Sequence, residues 1–200
     1  MKFHNAGKFN GDIESLPKRE HEEGAVMFIE PTDMKKFSLY MNIGAFILMF
    51  LLIGLTSLIV GEFTFDTWGC LLAIVCMVPH EFLHALGFKG DVYMYSNLKQ
   101  GTMFVVGPED MSKSRFITMS LLPFFVLGII PYTIFLFNPN LVTLGTMGAI
   151  SIASCAGDLY NVFNAITQMP KGSRTYLCGM NSYWYMPKKE GKEEVKETTK

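Results

Sequence analysis

Four long apolar blocks decide what this chain can fold into. They cover Phe37–Val60, Thr67–Phe88, Phe116–Phe137 and Leu141–Gln168. At a rise of 1.5 Å per helical residue, each block is long enough to cross the hydrocarbon core of a bilayer. Half of the residues are hydrophobic, and most charged residues lie outside the blocks. The sequence therefore predicts an all-α membrane protein with four transmembrane helices.

Positive charge is concentrated on alternate connections between the blocks. Of the 17 Lys and Arg residues, six precede Phe37, four lie in 89–115 and seven follow Gln168. The connections 61–66 and 138–140 contain none. Since basic residues favour the cytoplasmic side of a membrane, this predicts a multi-pass protein of the cell membrane with both termini in the cytoplasm.

These boundaries divide the chain into four parts. We expect a cytoplasmic N-terminal arm over 1–36, a four-span membrane domain over 37–168 with a cytoplasmic loop at 89–115, a juxtamembrane hairpin over 169–187, and a disordered charged tail over 188–200.

Short runs rich in β-branched and aromatic residues predict a small cytoplasmic β element beside the helices. One hairpin is expected from Val92–Tyr95 and Thr102–Val106, joined by a turn over 97–101, and a second from 176–178 and 183–186. The segment Gly24–Glu30 predicts a single strand in the arm. The edge of the first hairpin could receive an extended peptide as an added strand, or the hairpin could be passive structure.

The second apolar block contains the sequence His80-Glu81-Phe82-Leu83-His84. On a helix, residues four apart lie on one face, so both imidazoles can bind one ion. Glu81 then lies beside the ion, where it can take a proton from the water that the ion activates. A chance match on a soluble amphipathic helix is the alternative, but the apolar surroundings lack the polar face that such a helix needs.

Two neighbouring residues affect this site. Pro79 predicts a kink or restart of the helix, which is tolerated at membrane depth only where protein or water surrounds it. Cys76, one turn before His80, is a possible further ligand, but we favour a packed cysteine because Pro79 disturbs the helical register. His4 and His21 have no ligand-spaced partners, and we interpret them as solvated.

The fourth block differs from the first and third, for which we predict packing roles only. Ser151, Ser154, Asp158 and Asn161 recur at three- and four-residue steps and are expected on one helical face. Such a stripe can join helices by hydrogen bonds alone. A carboxylate, however, is costly in a membrane without a cation. Asp158 as a third ligand would complete the three-ligand, one-water pattern of catalytic zinc.

Together these features resemble the zincin peptidases, small bacterial membrane proteins related to site-2 intramembrane metalloproteases. The resemblance rests on HEFLH at 80–84 in the second of four spans, an acidic residue in a late span, and cytoplasmic strands between spans, and it covers most of residues 24–187. Site-2 proteases commonly carry an Asp-Gly pair in the third-ligand segment, whereas this chain has Gly157-Asp158.

The predicted function is zinc-dependent hydrolysis of peptide bonds near the cytoplasmic side of the bilayer. We expect His80, His84 and Asp158 to hold Zn²⁺, Glu81 to act as the general base, and Asn161 to contact the oxyanion or the substrate backbone. The expected partners are the lipid bilayer and a peptide or membrane-protein substrate, with no nucleic acid.

Two other functions compete with this prediction. One is a non-catalytic metal-binding membrane protein that serves sensing, transport or partner assembly, and Glu81 argues against it because a pure binding site has little use for that carboxylate. The other is a structural protein with a polar cluster that holds no metal.

Overall fold

Helices form most of the fold. The computed structural model describes residues 1–31, 34–97, 102–179 and 181–188. Its helices are α1 (Met34–Val60), α2 (Thr67–Val75), α3 (Met77–Ala85), α4 (Lys113–Pro123), α5 (Ile130–Phe137), α6 (Val142–Ser154) and α7 (Ala156–Gln168). A π-helical segment, Phe124–Ile129, joins α4 to α5, and a short 3-10 turn covers Ile13–Ser15.

Three of the described helical segments are long and apolar enough to cross a membrane. They are Ser38–Val60, Thr67–Ala85 and Lys113–Phe137, and the pair α6 and α7, bent by 46°, would make a fourth. These segments correspond to the four apolar blocks of the sequence. Length and composition thus allow three spans, or the predicted four if the bent pair is a single span.

Helix α6 lies at the centre of the helical part and contacts α1, α2 and α5. Small residues allow these close contacts, as is usual between membrane helices. A Cβ atom on Gly69 of α2 would lie 2.6 Å from the Thr143 carbonyl oxygen and 2.7 Å from the Thr146 Cβ atom. Gly148 of α6 similarly approaches the backbone of Tyr132. Both glycines are therefore places where two helices touch.

The strands form two small sheets, whereas the sequence predicted a single small β element. The first sheet has the order β1-β3-β4, and the second has the order β2-β7-β6-β5. The seven strands among the described residues are β1 (Lys2–Lys8), β2 (Val26–Met27), β3 (Asp91–Asn97), β4 (Thr102–Val106), β5 (Met111–Ser112), β6 (Arg174–Cys178) and β7 (Asn181–Tyr185). The fold is therefore mostly helical with more strand than the sequence predicted.

Both predicted hairpins are confirmed, since β3 pairs with β4 and β6 with β7 in antiparallel register. The arm differs from its prediction. Only Val26–Met27 of Gly24–Glu30 forms a strand, which pairs with β7. Strand β1, which was not predicted, lies parallel to β3. Residues 98–101 of the turn predicted over 97–101, and residues 189–200 of the tail predicted over 188–200, lie outside the described residues.

The expectation of one continuous fourth helix is wrong at Cys155, where α6 ends and α7 begins. The Ser154 hydroxyl and the Cys155 thiol donate to the Ser151 carbonyl over 2.9 and 3.2 Å. Side chains that bond back to the preceding turn in this way bend helices. The break places Asp158 in the first turn of α7, where the helix dipole favours a carboxylate.

The contact at Gly69 gives a test of the packing. Gly69→Ala should lower the free energy of unfolding by about 1–3 kcal/mol, because the methyl group collides with backbone atoms of α6. The matched control is Gly54→Ala on α1, where a Cβ atom meets nothing within 4 Å and alanine should be neutral or slightly stabilising. Thermal unfolding in detergent compares the two variants, and equal melting temperatures would contradict this packing.

Candidate metal centre

The helix that carries the HExxH sequence begins anew just before it. Helix α2 ends at Val75 and α3 starts at Met77, so the predicted restart of the helix near Pro79 is observed. Proline has no N–H group, so the Val75 carbonyl has no helical donor four residues later. The new helix is short and presents His80 and His84 on one face.

Three side chains converge on a single point. The Nε2 atoms of His80 and His84 lie 3.1 Å apart. The Asp158 carboxylate places Oδ2 at 3.2 Å from His80 Nε2 and Oδ1 at 3.0 Å from His84 Nε2. All three side chains are at most 16% exposed. The structure therefore brings together the three residues that the sequence singled out as ligands.

This arrangement fits a zinc ion. Nitrogen or oxygen ligands about 2.0–2.1 Å from a tetrahedral ion are separated from each other by about 3.3 Å, close to the distances observed. Two imidazoles and one carboxylate are a zinc donor set that leaves a fourth position for water. Among the described residues, the structure shows no second group of three His, Cys, Asp or Glu side chains with comparable convergence.

The orientation of His84 depends on α4. Its Nδ1 atom lies 3.0 Å from the Met119 carbonyl oxygen, so this nitrogen donates and Nε2 is left as the ligand atom. The carbonyl is available because Pro123, four residues later, has no N–H to offer it. We predicted packing roles only for the third apolar block, and this contact corrects that prediction.

Close approach of α3 to α4 makes this hydrogen bond possible. A Cβ atom on Gly87 would lie 2.3 Å from the Met119 Cγ atom, so only glycine allows the two segments to come so near. Gly87 lies two residues after Ala85, where the helix that carries His80 and His84 ends. Its missing side chain therefore helps to set the position of His84.

A partly buried ion pair holds the segment that follows the same helix. The Arg115 guanidinium donates from Nε to the Gly87 carbonyl over 2.7 Å and from Nη1 to Glu109 over 2.7 Å. The other Glu109 oxygen accepts the amides of Lys89 and Gly90 at 2.6 and 2.8 Å. Burial alone would raise the pKa of Glu109, but these donors together lower it. The carboxylate thus stays ionised at neutral pH, and the sequence contained no signal for this pair.

Glu81 lies between two cavities. The larger cavity, of about 360 Å³, is bordered by Glu81, His84, Asp158 and Asn161. The smaller cavity, of about 210 Å³, is bordered by Glu81 and His80 and by a set of small side chains that includes Cys76, Ser151 and Ser154. Cys76 therefore lies on a cavity wall, outside the group of convergent ligands.

The predicted polar stripe of the fourth block is divided between these cavities. Ser151 and Ser154 face the smaller one, whereas Asp158 and Asn161 face the larger one. The break at Cys155 accounts for the division, because it separates the two serines from the two later residues. The polar stripe thus borders two cavities rather than one.

The two remaining histidines have other partners. His4 Nε2 lies 2.8 Å from the Asp91 carboxylate and its ring stacks on Tyr93. His21 Nδ1 lies 3.0 Å from the Tyr176 hydroxyl. Both are exposed, as expected of solvated histidines, and neither belongs to the convergent group of His80, His84 and Asp158.

Comparison with known proteins gives one finding. A family described as "Putative zincin peptidase" matches residues 73–174, about half of the chain. The matched range includes His80, Glu81, His84 and Asp158. No curated protein and no solved structure matched the chain.

The carbonyl freed by Pro123 can be tested. Pro123→Ala restores an N–H that competes with His84 for the Met119 carbonyl, so zinc affinity should fall by about 10- to 100-fold, as expected for a lost ligand-orienting contact. Pro131→Ala is the matched control, since it restores a helical N–H opposite Leu127 rather than Met119. Competition with a zinc chelator measures both affinities, and an unchanged value for Pro123→Ala would contradict the assigned role.

Proposed function

The chain belongs to the "Putative zincin peptidase" family, and we propose that it is a membrane-embedded zinc metallopeptidase that hydrolyses peptide bonds near the cytoplasmic side of the bilayer. One observation carries this proposal: two imidazoles and a carboxylate converge within 4.8 Å, directly beside a buried glutamate that borders a cavity. A hydrolytic site requires this combination of metal ligands, base and space for substrate.

His80, His84 and Asp158 would hold the ion. Zinc bound there would supply a Lewis acid and lower the pKa of a coordinated water to about 7. His84 keeps its ligand nitrogen directed to this point through Met119, and Asp158 would compensate the positive charge of the ion. The contacts of His84 with Met119 and of Asp158 with both imidazoles support these roles.

Glu81 would act as the general base. It follows His80 directly and is buried on α3. From this position it can remove a proton from the attacking water and pass that proton to the leaving amine. Transfers of this kind by a positioned side chain typically accelerate reactions by about 10²- to 10⁴-fold.

The substrate would lie in the larger cavity, against the edge of the first sheet. Strand β4 is an edge strand, and Met103–Val106 line the cavity. An extended peptide can pair with such an edge through main-chain hydrogen bonds. Asn161, one helical turn after Asp158, borders the same cavity and would donate to the developing oxyanion or to the substrate backbone.

Exposed apolar surface supports the membrane location. Along Ser38–Val60, only 11% of the most apolar window is buried within the protein. Phe50, Leu51 and Leu58 are each more than 60% exposed. Apolar surface of this extent is costly in water and is expected to contact lipid.

A non-catalytic metal-binding protein remains the second candidate. The same three ligands would serve it, and no part of the metal geometry distinguishes the two functions. Glu81 does distinguish them, because a carboxylate between the metal site and a substrate-sized cavity is required for hydrolysis and not for binding. This residue therefore decides the central experiment.

Glu81→Gln should retain about one zinc per chain while cleavage of peptides falls by about 10²- to 10⁴-fold, since a general base is lost but no ligand is. His84→Ala should lose both zinc and activity, and Asp158→Asn should bind zinc markedly more weakly. Cys76→Ala is the control that should bind zinc as the wild type does. Zinc analysis and mass spectrometry of peptide products provide the readouts. Undiminished cleavage by purified Glu81→Gln protein would eliminate the mechanism.

We also expect both termini and the loop around Lys99 to be cytoplasmic, because all basic residues then lie on one side. Single cysteines at positions 64 and 99, in a chain whose native cysteines are replaced, can be labelled with a membrane-impermeant reagent. Position 64 should react from outside and position 99 only after the membrane is opened. The reverse pattern would refute this topology.

A further inference from the structure

The larger cavity carries an acidic group that the proposed reaction does not use. Glu30 of the N-terminal arm borders the cavity together with Ser182 of β7 and Leu177 of β6. These residues form the side of the cavity that faces the second sheet, whereas Glu81, His84 and Asp158 form the side that faces the helices. The cavity thus extends from the candidate metal centre to a separate carboxylate.

Contacts of the two residues before Glu30 fix its position. Phe28 is 2% exposed and its amide donates to the Ser182 carbonyl over 2.9 Å. Ile29 is bound at both backbone groups by Gln168, at 2.7 and 3.3 Å. Gln168 is the last residue of α7, the helix that carries Asp158. Glu30 is therefore held at a defined place relative to the metal ligands.

No positively charged partner faces this carboxylate on the part of the cavity wall that the structure describes. Among the described residues that line it, none is Lys or Arg. Burial raises the pKa of Glu30, and hydrogen bonds from the side chain and backbone of Ser182 oppose this rise without cancelling it. A partly buried carboxylate in this state would gain from a cation that entered the cavity.

Most of the remaining wall is apolar, with Ser120, Tyr160 and Asn161 among the polar exceptions. Side chains from α4, from the segment after α3 and from both sheets line it, among them Phe88, Phe104, Phe116, Met119 and Leu177. A lysine or arginine side chain matches such a surface, because its methylene stem packs on apolar groups while its charged tip reaches a carboxylate.

On the basis of the peptidase function proposed above, we infer that the larger cavity is a specificity site that binds a lysine or arginine side chain of the substrate, with the cationic tip at Glu30. Membrane proteins carry an excess of Lys and Arg just beyond the cytoplasmic ends of their spans. The inferred substrate class is therefore a peptide segment at the cytoplasmic membrane boundary, where an apolar stretch meets a basic residue.

Binding to the full-length, zinc-loaded Glu81→Gln protein in detergent tests the site without cleavage. The probes are fluorescent apolar peptides in which one lysine occupies each position in turn, matched by peptides with norleucine or glutamate at the same position. The best lysine peptide should bind about tenfold more tightly than its norleucine counterpart, as expected for a hydrogen-bonded charge pair. Adding Glu30→Gln should reduce this ratio to about one, and Glu30→Lys should shift the preference to the glutamate peptide.

Glu23→Gln is the matched control, because Glu23 lies in the same arm but is 80% exposed and outside the cavity. It should keep the tenfold ratio. A ratio near one with Glu30 intact, a ratio that survives Glu30→Gln, or no binding of any peptide would overturn the inference.

Cleavage by the wild-type protein separates this inference from the proposed reaction. Cleavage at a constant distance from the lysine would support both. Cleavage with no preference for lysine would preserve the peptidase and reject the specificity site. A lysine preference in binding with no cleavage of any peptide would preserve the site and reject the peptidase.

Discussion

The Asp158 carboxylate lies within 3.2 Å of two imidazoles inside a helical assembly whose outward surfaces are largely apolar. Charged groups in such surroundings are stable only with compensating charge and hydrogen bonds, so the local structure serves to bring these groups together. Two interrupted helices do this. The restart before Met77 directs the histidines inward, and the break at Cys155 brings Asp158 into the first turn of α7. Continuous helices in either place would change which residues face the centre.

The strands are coupled to this centre through a few specific contacts. Arg115 joins the end of α3 to Glu109, whose carboxylate also binds the first amides leading into β3. Lys113 donates to the Met169 carbonyl at the end of α7 over 2.6 Å. A movement of the sheets would therefore also displace α3, which carries the two imidazoles, and α7, which carries the carboxylate. The second sheet also positions the arm that carries Glu30, so the proposed substrate site and the metal ligands share one framework.

The parts of this arrangement that depend on local sequence pattern could be predicted from the sequence. The apolar blocks, the HExxH spacing and both hairpins follow from periodicities within a few residues, and Asp158 followed from the cost of an unpaired carboxylate. The parts it missed depend on contacts between distant segments. The parallel pairing of β1 with β3 joins residues about 90 positions apart, and the Met119 carbonyl matters only because Gly87 lets α4 approach. The sequence did contain a signal for the Met119 carbonyl, because Pro123 has no N–H to donate to the carbonyl four residues earlier. The sequence did not show that His84 would contact this carbonyl instead.

The surroundings of Glu81 suit the proposed hydrolysis better than they suit metal binding alone. A binding protein gains affinity by satisfying the ion fully with protein ligands and excluding water. Here the convergent set has three ligands, and the neighbouring carboxylate borders open space on two sides. A cavity beside the metal site lowers the stability of the fold, and so does a buried carboxylate. Neither of these two features strengthens binding of the ion. Both become useful when an extended chain lies against β4 and a water molecule must be activated next to it.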